Sequence, residues 1–159
     1  MMSAMMGDKV QYSAPERLST FQLGQYNFAV DIQYLREVVP LPDYTPLPNV
    51  EEIYLGVFNL RGEIFPIADI SPLLGMAPKT IYSDDMVMLL EFGDMVLGVL
   101  VDKILGMVSY LPTEVKVARG LLAPRVETYV SGMVEKNGQQ FFILDVHRLF
   151  NSHEILAHM

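Results

Sequence analysis

One fifteen-residue frame occurs twice in this chain, 76 positions apart and without a gap, and this duplication restricts the folds open to it. The first copy is Gly56-Val57-Phe58-Asn59-Leu60-Arg61-Gly62-Glu63-Ile64-Phe65-Pro66-Ile67-Ala68-Asp69-Ile70. The second runs from Gly132 to Val146. Gly56 aligns with Gly132, Gly62 with Gly138, Ile67 with Ile143 and Asp69 with Asp145. Each copy reads as a strand, a tight turn and a return strand, because apolar residues flank a Gly-containing turn. Inside the first hairpin, alternation puts Phe58 and Leu60 on one face and Val57, Asn59 and Arg61 on the other. Burial of Phe58, Leu60, Ile64 and Ile67 is expected to contribute about 1.5–3 kcal/mol each.

The flanking sequence repeats as well. Ser19–Leu23 and Tyr26–Val30 predict a hairpin around Gly24-Gln25, and Asp31 can cap a short helical turn leading to Val38-Val39. Met86–Phe92 and Met95–Val101 predict a second such hairpin around Gly93-Asp94, and Asp102 leads to Met107-Val108. Pro66 lacks a donor, so its strand is expected at a sheet edge or at a bulge. Ser71-Pro72 should start a helical turn that stops at Gly75. Residues 112–125 read as loop with a short strand at Val115–Val117. No long 3.6-period helix interrupts the series.

Short strands at regular spacing favour small barrels over a layered α/β fold. The expected class is mainly β: two barrels of about five strands related by the internal repeat, with a few short helices. Residues 1–17 are expected to be a tail, 18–150 the folded body and 151–159 a C-terminal tail. The halves are expected to divide near 78–85, with room for strands to be exchanged between them. Half the chain makes a marginal core, so the halves should share a packed interface.

Composition removes several functions. A net charge of −8 argues against nucleic-acid or anionic-membrane surfaces, which need clustered Lys and Arg. The absence of cysteine excludes disulfides, thiolate catalysis and thiolate metal sites. The longest apolar run, Met95–Val101, is far short of the ~20 residues of a membrane-spanning helix. No signal-peptide pattern is present at Met1–Gly7. These features point to a cytoplasmic protein.

The catalytic inventory is empty, and neither cofactor nor metal is expected. His147, His153 and His158 lie near the C-terminus with no Ser or acid at motif spacing. Phosphate-loop, dinucleotide and metal-ligand spacings are missing. Asp84-Asp85 reads as a solvated linker pair, and Asp31, Asp69, Asp102 and Asp145 as caps. Arg61 differs. The second copy keeps the apolar frame but carries Glu135 for Asn59 and Asn137 for Arg61, so packing does not demand an arginine there. Spacing leaves two readings of Arg61: an exposed turn cation, or an interface arginine of the kind enriched at binding hot spots. Gly56 and Gly132 suit a bulge or close backbone approach.

The Asn59-Leu60-Arg61-Gly62 turn followed by Ile64 to Ile70 resembles the signature of the CheW family. Leu100-Val101-Asp102, Leu35-Arg36-Glu37-Val38 and Ile143-Leu144-Asp145 leading to Leu149-Phe150 support the likeness, which spans about residues 18 to 150. The resemblance implies two SH3-like five-stranded barrels and a non-enzymatic adaptor. Such an adaptor links the cytoplasmic hairpin tips of chemoreceptors to the CheW-like regulatory domain of a CheA-type histidine kinase, in membrane-associated arrays. By position it implies Arg61 and Met107 on the receptor side and Glu37, Val38 and Gly56 on the kinase side. An adaptor of twitching or light-directed motility fits the same resemblance. From a different class, a small-barrel nucleic-acid binder remains as the alternative that the charge disfavours. Ser71-Pro72 and the bulky Phe58 depart from the family pattern and bear on partner preference.

Overall fold

The structure, a computed structural model, describes residues 15–48 and 53–157. Ten strands follow one another: β1 (Glu16–Leu23), β2 (Tyr26–Asp31), β3 (Leu35–Pro40), β4 (Tyr54–Leu60), β5 (Glu63–Ala68), β6 (Met86–Phe92), β7 (Met95–Val101), β8 (Lys103–Tyr110), β9 (Val130–Lys136) and β10 (Gln139–Leu144). Three short helices accompany them among the described residues: α1 (Pro124–Thr128), α2 (Val146–Phe150) and α3 (His153–Leu156). The strands form two five-stranded sheets, ordered β8-β1-β2-β10-β9 and β3-β6-β7-β5-β4.

These orders are the same pattern with the copies exchanged. In the first sheet the N-terminal hairpin β1–β2 joins β8, β9 and β10 from the other copy. In the second, the later hairpin β6–β7 joins β3, β4 and β5. The segment 78–85, where the sequence divides the halves, connects β5 to β6 within one sheet, so strands are exchanged across that division. The exchange rests on two parallel pairs, β2 with β10 and β5 with β7. Parallel neighbours need a long crossover, which carries each hairpin to the distant copy.

Three apolar clusters follow from strand alternation. Leu18, Ala29, Val134, Phe141 and Ile143 pack within the first sheet, and Phe58, Phe65, Ile67, Val87, Leu89 and Leu100 within the second. The opposite faces supply a central cluster between the sheets, including Phe21, Phe28, Val30, Met88, Leu90, Leu97, Val99 and Phe142. Strands buried on both faces read as continuous apolar runs rather than clean alternations, as Met86–Leu90 does. The expected shared interface is this central cluster.

The edges of each sheet are drawn together by the chain leaving the third strand. Past β3, Thr45 exchanges backbone bonds of 2.8 and 2.9 Å with Val57 of β4. Past β8, Lys116 does the same with Met133 of β9, at 2.8 and 2.9 Å. Gly56 and Gly132 sit at this crossing. A Cβ on Gly56 would lie 2.2 Å from the Thr45 carbonyl oxygen, and one on Gly132 2.5 Å from a Val115 methyl.

Four expectations are corrected. Ile64 is 60% exposed and Phe65 is the buried residue, because period two cannot bury both Ile64 and Ile67. Pro66 lies in β5, which has β7 and β4 on either side. Val57 directs its backbone groups at Thr45, so the opposite Pro66 turns its nitrogen toward β7, where pairing begins only at Ile67. The first strand starts at Glu16, inside the expected tail, and the Met1–Met6 stretch lies outside the described residues. At the other end, Ser152 caps α3 and Ile155 is fully buried in the central cluster, so residues 152–156 pack with the body.

Candidate protein-docking surfaces

Arg61 tops the β4–β5 turn with φ +51°, and Gly62 follows at +90°. Asn137 and Gly138 adopt the same conformation, at +51° and +79°, in the β9–β10 turn. Two successive left-handed residues match the right-handed twist of the flanking strands. Asn tolerates this region, whereas Arg does so at a cost of about 1 kcal/mol or more. The Gly62 N–H donates to Asn59 Oδ1 at 3.1 Å, which holds the turn. Arg61 thus occupies a backbone conformation that favours another residue type, with its side chain 69% exposed.

Its guanidinium ion-pairs with Glu37 of β3, and beside it Arg36 pairs with Glu63 at 2.9 Å and lies 5.2 Å from the Phe65 ring centre. Two crossed ion pairs therefore join β3 to the β4–β5 turn, the opposite margins of one sheet. Both pairs are largely solvated, so each contributes ~1 kcal/mol or less and leaves its charges accessible to a partner. Exposed Ile64 adds an apolar spot to this patch. Arg61 and Glu37, assigned by resemblance to different partners, are neighbours here.

The other candidates fall elsewhere. Met107 is 57% exposed on the outer edge strand β8 of the first sheet, near exposed Leu105. Unpaired edge strands with bare apolar side chains are common docking templates. Val38 is half-buried against the central cluster. Gly56 is buried beneath Thr45, where its missing side chain leaves room for the edge crossing.

One surface escaped sequence reading. Val117 is 76% exposed and Leu121 54%, flanking exposed Arg119. Residues Val115–Arg119 line a hollow of about 350 Å³ closed by Glu127, Val130 and Ser131. Thr45 and Lys116 are the matching crossing residues, so Tyr44 corresponds to Val115. Tyr44 packs inward on the second sheet's cluster, while Val115 stays partly exposed. The apolar Val115 and Val117 on either side of Lys116 were the available signal. Nearby, the Lys136 ammonium grips Glu114 at 2.8 Å, and with the Leu111 N–H it lowers the Glu114 carboxyl below its ordinary range.

Asp85 is not a solvated linker residue. It is 2% exposed and pairs with Lys79 at 2.8 Å; Lys79 also reaches Asp102 at 2.7 Å. The signal was hidden because the partners are brought together only by the fold. Of the expected caps, Asp31 accepts from the Gln33 N–H at 3.0 Å and Asp145 from the Arg148 N–H at 2.9 Å. Asp102 instead accepts from the Gly24 N–H at 2.7 Å. Burial, then the charges of Glu16 and Asp31, pushes the Tyr110 phenol up to about 12. Among the described residues no group of three or more His, Asp or Glu is arranged to hold a metal ion, and no helix is long and apolar enough to cross a membrane.

Fold and surfaces together define a duplicated β scaffold that presents apolar and charged contact patches. A family model for the CheW-like domain matches residues 17–154, and the chain belongs to that family. It is 29% identical over 143 residues to a chemotaxis protein CheW of Treponema pallidum, covering 87% of this chain and 84% of the relative. It is 26% identical over 137 residues to that of Rhizobium meliloti, covering 86% and 88%. Its fold matches the crystal structure of the scaffolding protein TtCheW from Thermoanaerobacter tengcongensis, with TM-score 0.78 at 22% identity, over 89% of this chain and 96% of that one.

Proposed function

We propose that this chain is a non-enzymatic adaptor that couples chemoreceptors to a CheA-type histidine kinase in a two-component chemotaxis pathway. The family match over residues 17–154 carries this reading. Relatives named for chemotaxis, matched over more than four-fifths of both chains, support it. The mechanism is scaffolding. An adaptor held by both partners transmits receptor conformation as differential affinity for two kinase states, and needs no bond-making step of its own.

Arg61 and Met107 serve the receptor side. Glu37 and Val38 serve the kinase side, with Gly56 shaping the edge beneath them. Exposed Val117 and Leu121 offer a further surface on the other sheet, so the two sheets can engage different partners at once. The protein works in the cytoplasm and reaches membrane-associated arrays through these contacts.

The test is reconstitution with a CheA-type kinase and receptor-bearing vesicles. The kinase should co-sediment with the vesicles only when the chain is present. Sedimentation that ignores the chain rejects the reading. In a titration with the kinase, Glu37→Lys should weaken binding, and unchanged affinity removes Glu37 from the surface.

A further inference from the structure

Lys79 is the most buried cation described, with its side chain 5% exposed. Its ammonium sits 2.8 Å from Asp85 Oδ2 and 2.7 Å from Asp102 Oδ1, and donates to the Thr80 carbonyl at 2.9 Å. Its own N–H donates to Asp69 Oδ2 at 2.7 Å. The second oxygen of Asp102 accepts from the Gly24 N–H at 2.7 Å. These partners belong to different parts of the fold. Asp69 follows β5 and Asp85 precedes β6, both in the second sheet. Gly24 is the β1–β2 turn of the first sheet. Asp102 is the single residue between β7 of one sheet and β8 of the other. One ammonium thus gathers both sheets at the point where the chain passes between them.

The other copy solves the matching junction differently. There β6 ends at Phe92, which packs on His147 and Phe150 at ring-centre distances of 5.1 and 5.8 Å. Among the described residues no ion pair forms at Asp31, which matches Asp102, so the fold closes there without one and the ionic junction needs another reason. Apolar contact is non-directional, whereas a hydrogen-bonded ion pair holds only in a narrow geometry. A desolvated ion pair adds little net stability, but it penalises any geometry that strands a charge.

We propose that Lys79 is a positioning residue that locks the sheet carrying Arg61 to the sheet carrying Met107 in one relative orientation. The consequence for partners rests on the adaptor reading above; the clamp itself does not. Asp85 and Asp102 are its fixed jaws, and the segment from Met76 to Asp85 is a strap rather than a linker.

The chain lacks cysteine, so Asp94→Cys on the β6–β7 turn and Gln139→Cys at the start of β10 give one spin label per sheet at exposed positions. The distance distribution between them should be narrow in the otherwise wild-type chain and in Lys79→Arg. It should broaden at least twofold in Lys79→Met and in Asp102→Asn, which keeps an acceptor for Gly24 but loses the charge. Should Lys79→Met fail to fold, Asp102→Asn decides by the same measure. A narrow distribution in a folded, charge-deleted variant overturns the clamp. Co-sedimentation with receptor-bearing vesicles, read in parallel, separates the two ideas. If Lys79→Met broadens the distances yet sediments as well as wild type, its positioning role for partners is overturned. If wild type itself fails to sediment, the adaptor reading fails while the distances still judge the clamp.

Discussion

Arg61 is held where the backbone would accept asparagine more readily, and Asn137 in the second copy demonstrates the alternative. Replacing Arg61 by Asn removes about 1 kcal/mol of conformational cost and forfeits an exposed ion pair of similar or smaller size. The melting temperature of Arg61→Asn should therefore stay within about 4 °C of wild type, while receptor coupling drops several-fold. A large fall in thermal stability would make the arginine structural. Gly62, at φ +90° with nothing near a built Cβ, has space but not conformation, so Gly62→Val should lose at least ~1 kcal/mol in a denaturant titration. At this scale the difference between Arg61 and its counterpart Asn137 was legible, because the duplicated frame supplies its own control. Its partner Glu37 was legible only as a separate contact, and the Asp85–Lys79–Asp102 set not at all. Ion pairs between distant segments leave no periodic trace.

Among elements, the crossing of chain over the edge strand is where glycine matters most. Gly56→Ala drives a methyl into a backbone carbonyl, and Gly132→Ala drives one into a valine side chain that can turn. Overpacking costs about 1–3 kcal/mol, with Gly56→Ala expected at the upper end and Gly132→Ala clearly below it in parallel unfolding curves. Equal losses would mean that the two crossings are equally rigid. The bounds of β6 and β7 were readable to the residue, because Gly93-Asp94 punctuates two apolar runs. Helix α1 was missed, since Pro124–Thr128 carries one buried residue, Val126, and no periodicity. Pro66 misled for a physical reason: a missing donor is harmless in an inner strand where pairing has not yet begun.

For the whole molecule, three buried groups share one pH response. Burial pushes the Tyr54 phenol up to about 12, and burial with nearby carboxylates does the same to Tyr110. For Lys79, burial alone would lower the ammonium, but its bonds to Asp102 and Asp85 outweigh that and raise it. Each group holds its proton more tightly folded than unfolded. Its stabilising contribution is complete below the unfolded value, near 10 for tyrosine and 10.4 for lysine, and is lost as pH climbs through the folded one. Stability should hold level to about pH 10 and decline from there toward 12. In Lys79→Met the decline should be shallower; an identical slope would remove Lys79 from the account. The class and strand count followed from the repeat, and so did room for exchange between copies, but not which strands exchange. Local patterning specifies which strands exist, and only non-local packing specifies which neighbours they take.

That exchange also sets a timetable during synthesis. The second sheet has all its strands once residue 101 has left the ribosome, because β3 to β7 are consecutive. Among the described strands, the first sheet begins with the hairpin β1–β2, yet its other members are the last three, β8 to β10. β1 and β2 must therefore wait, with both flanks unpaired, until β8 to β10 have emerged. A translation pause between β7 and β8 prolongs that bare interval, and the nascent N-terminal hairpin is the part most in need of a chaperone.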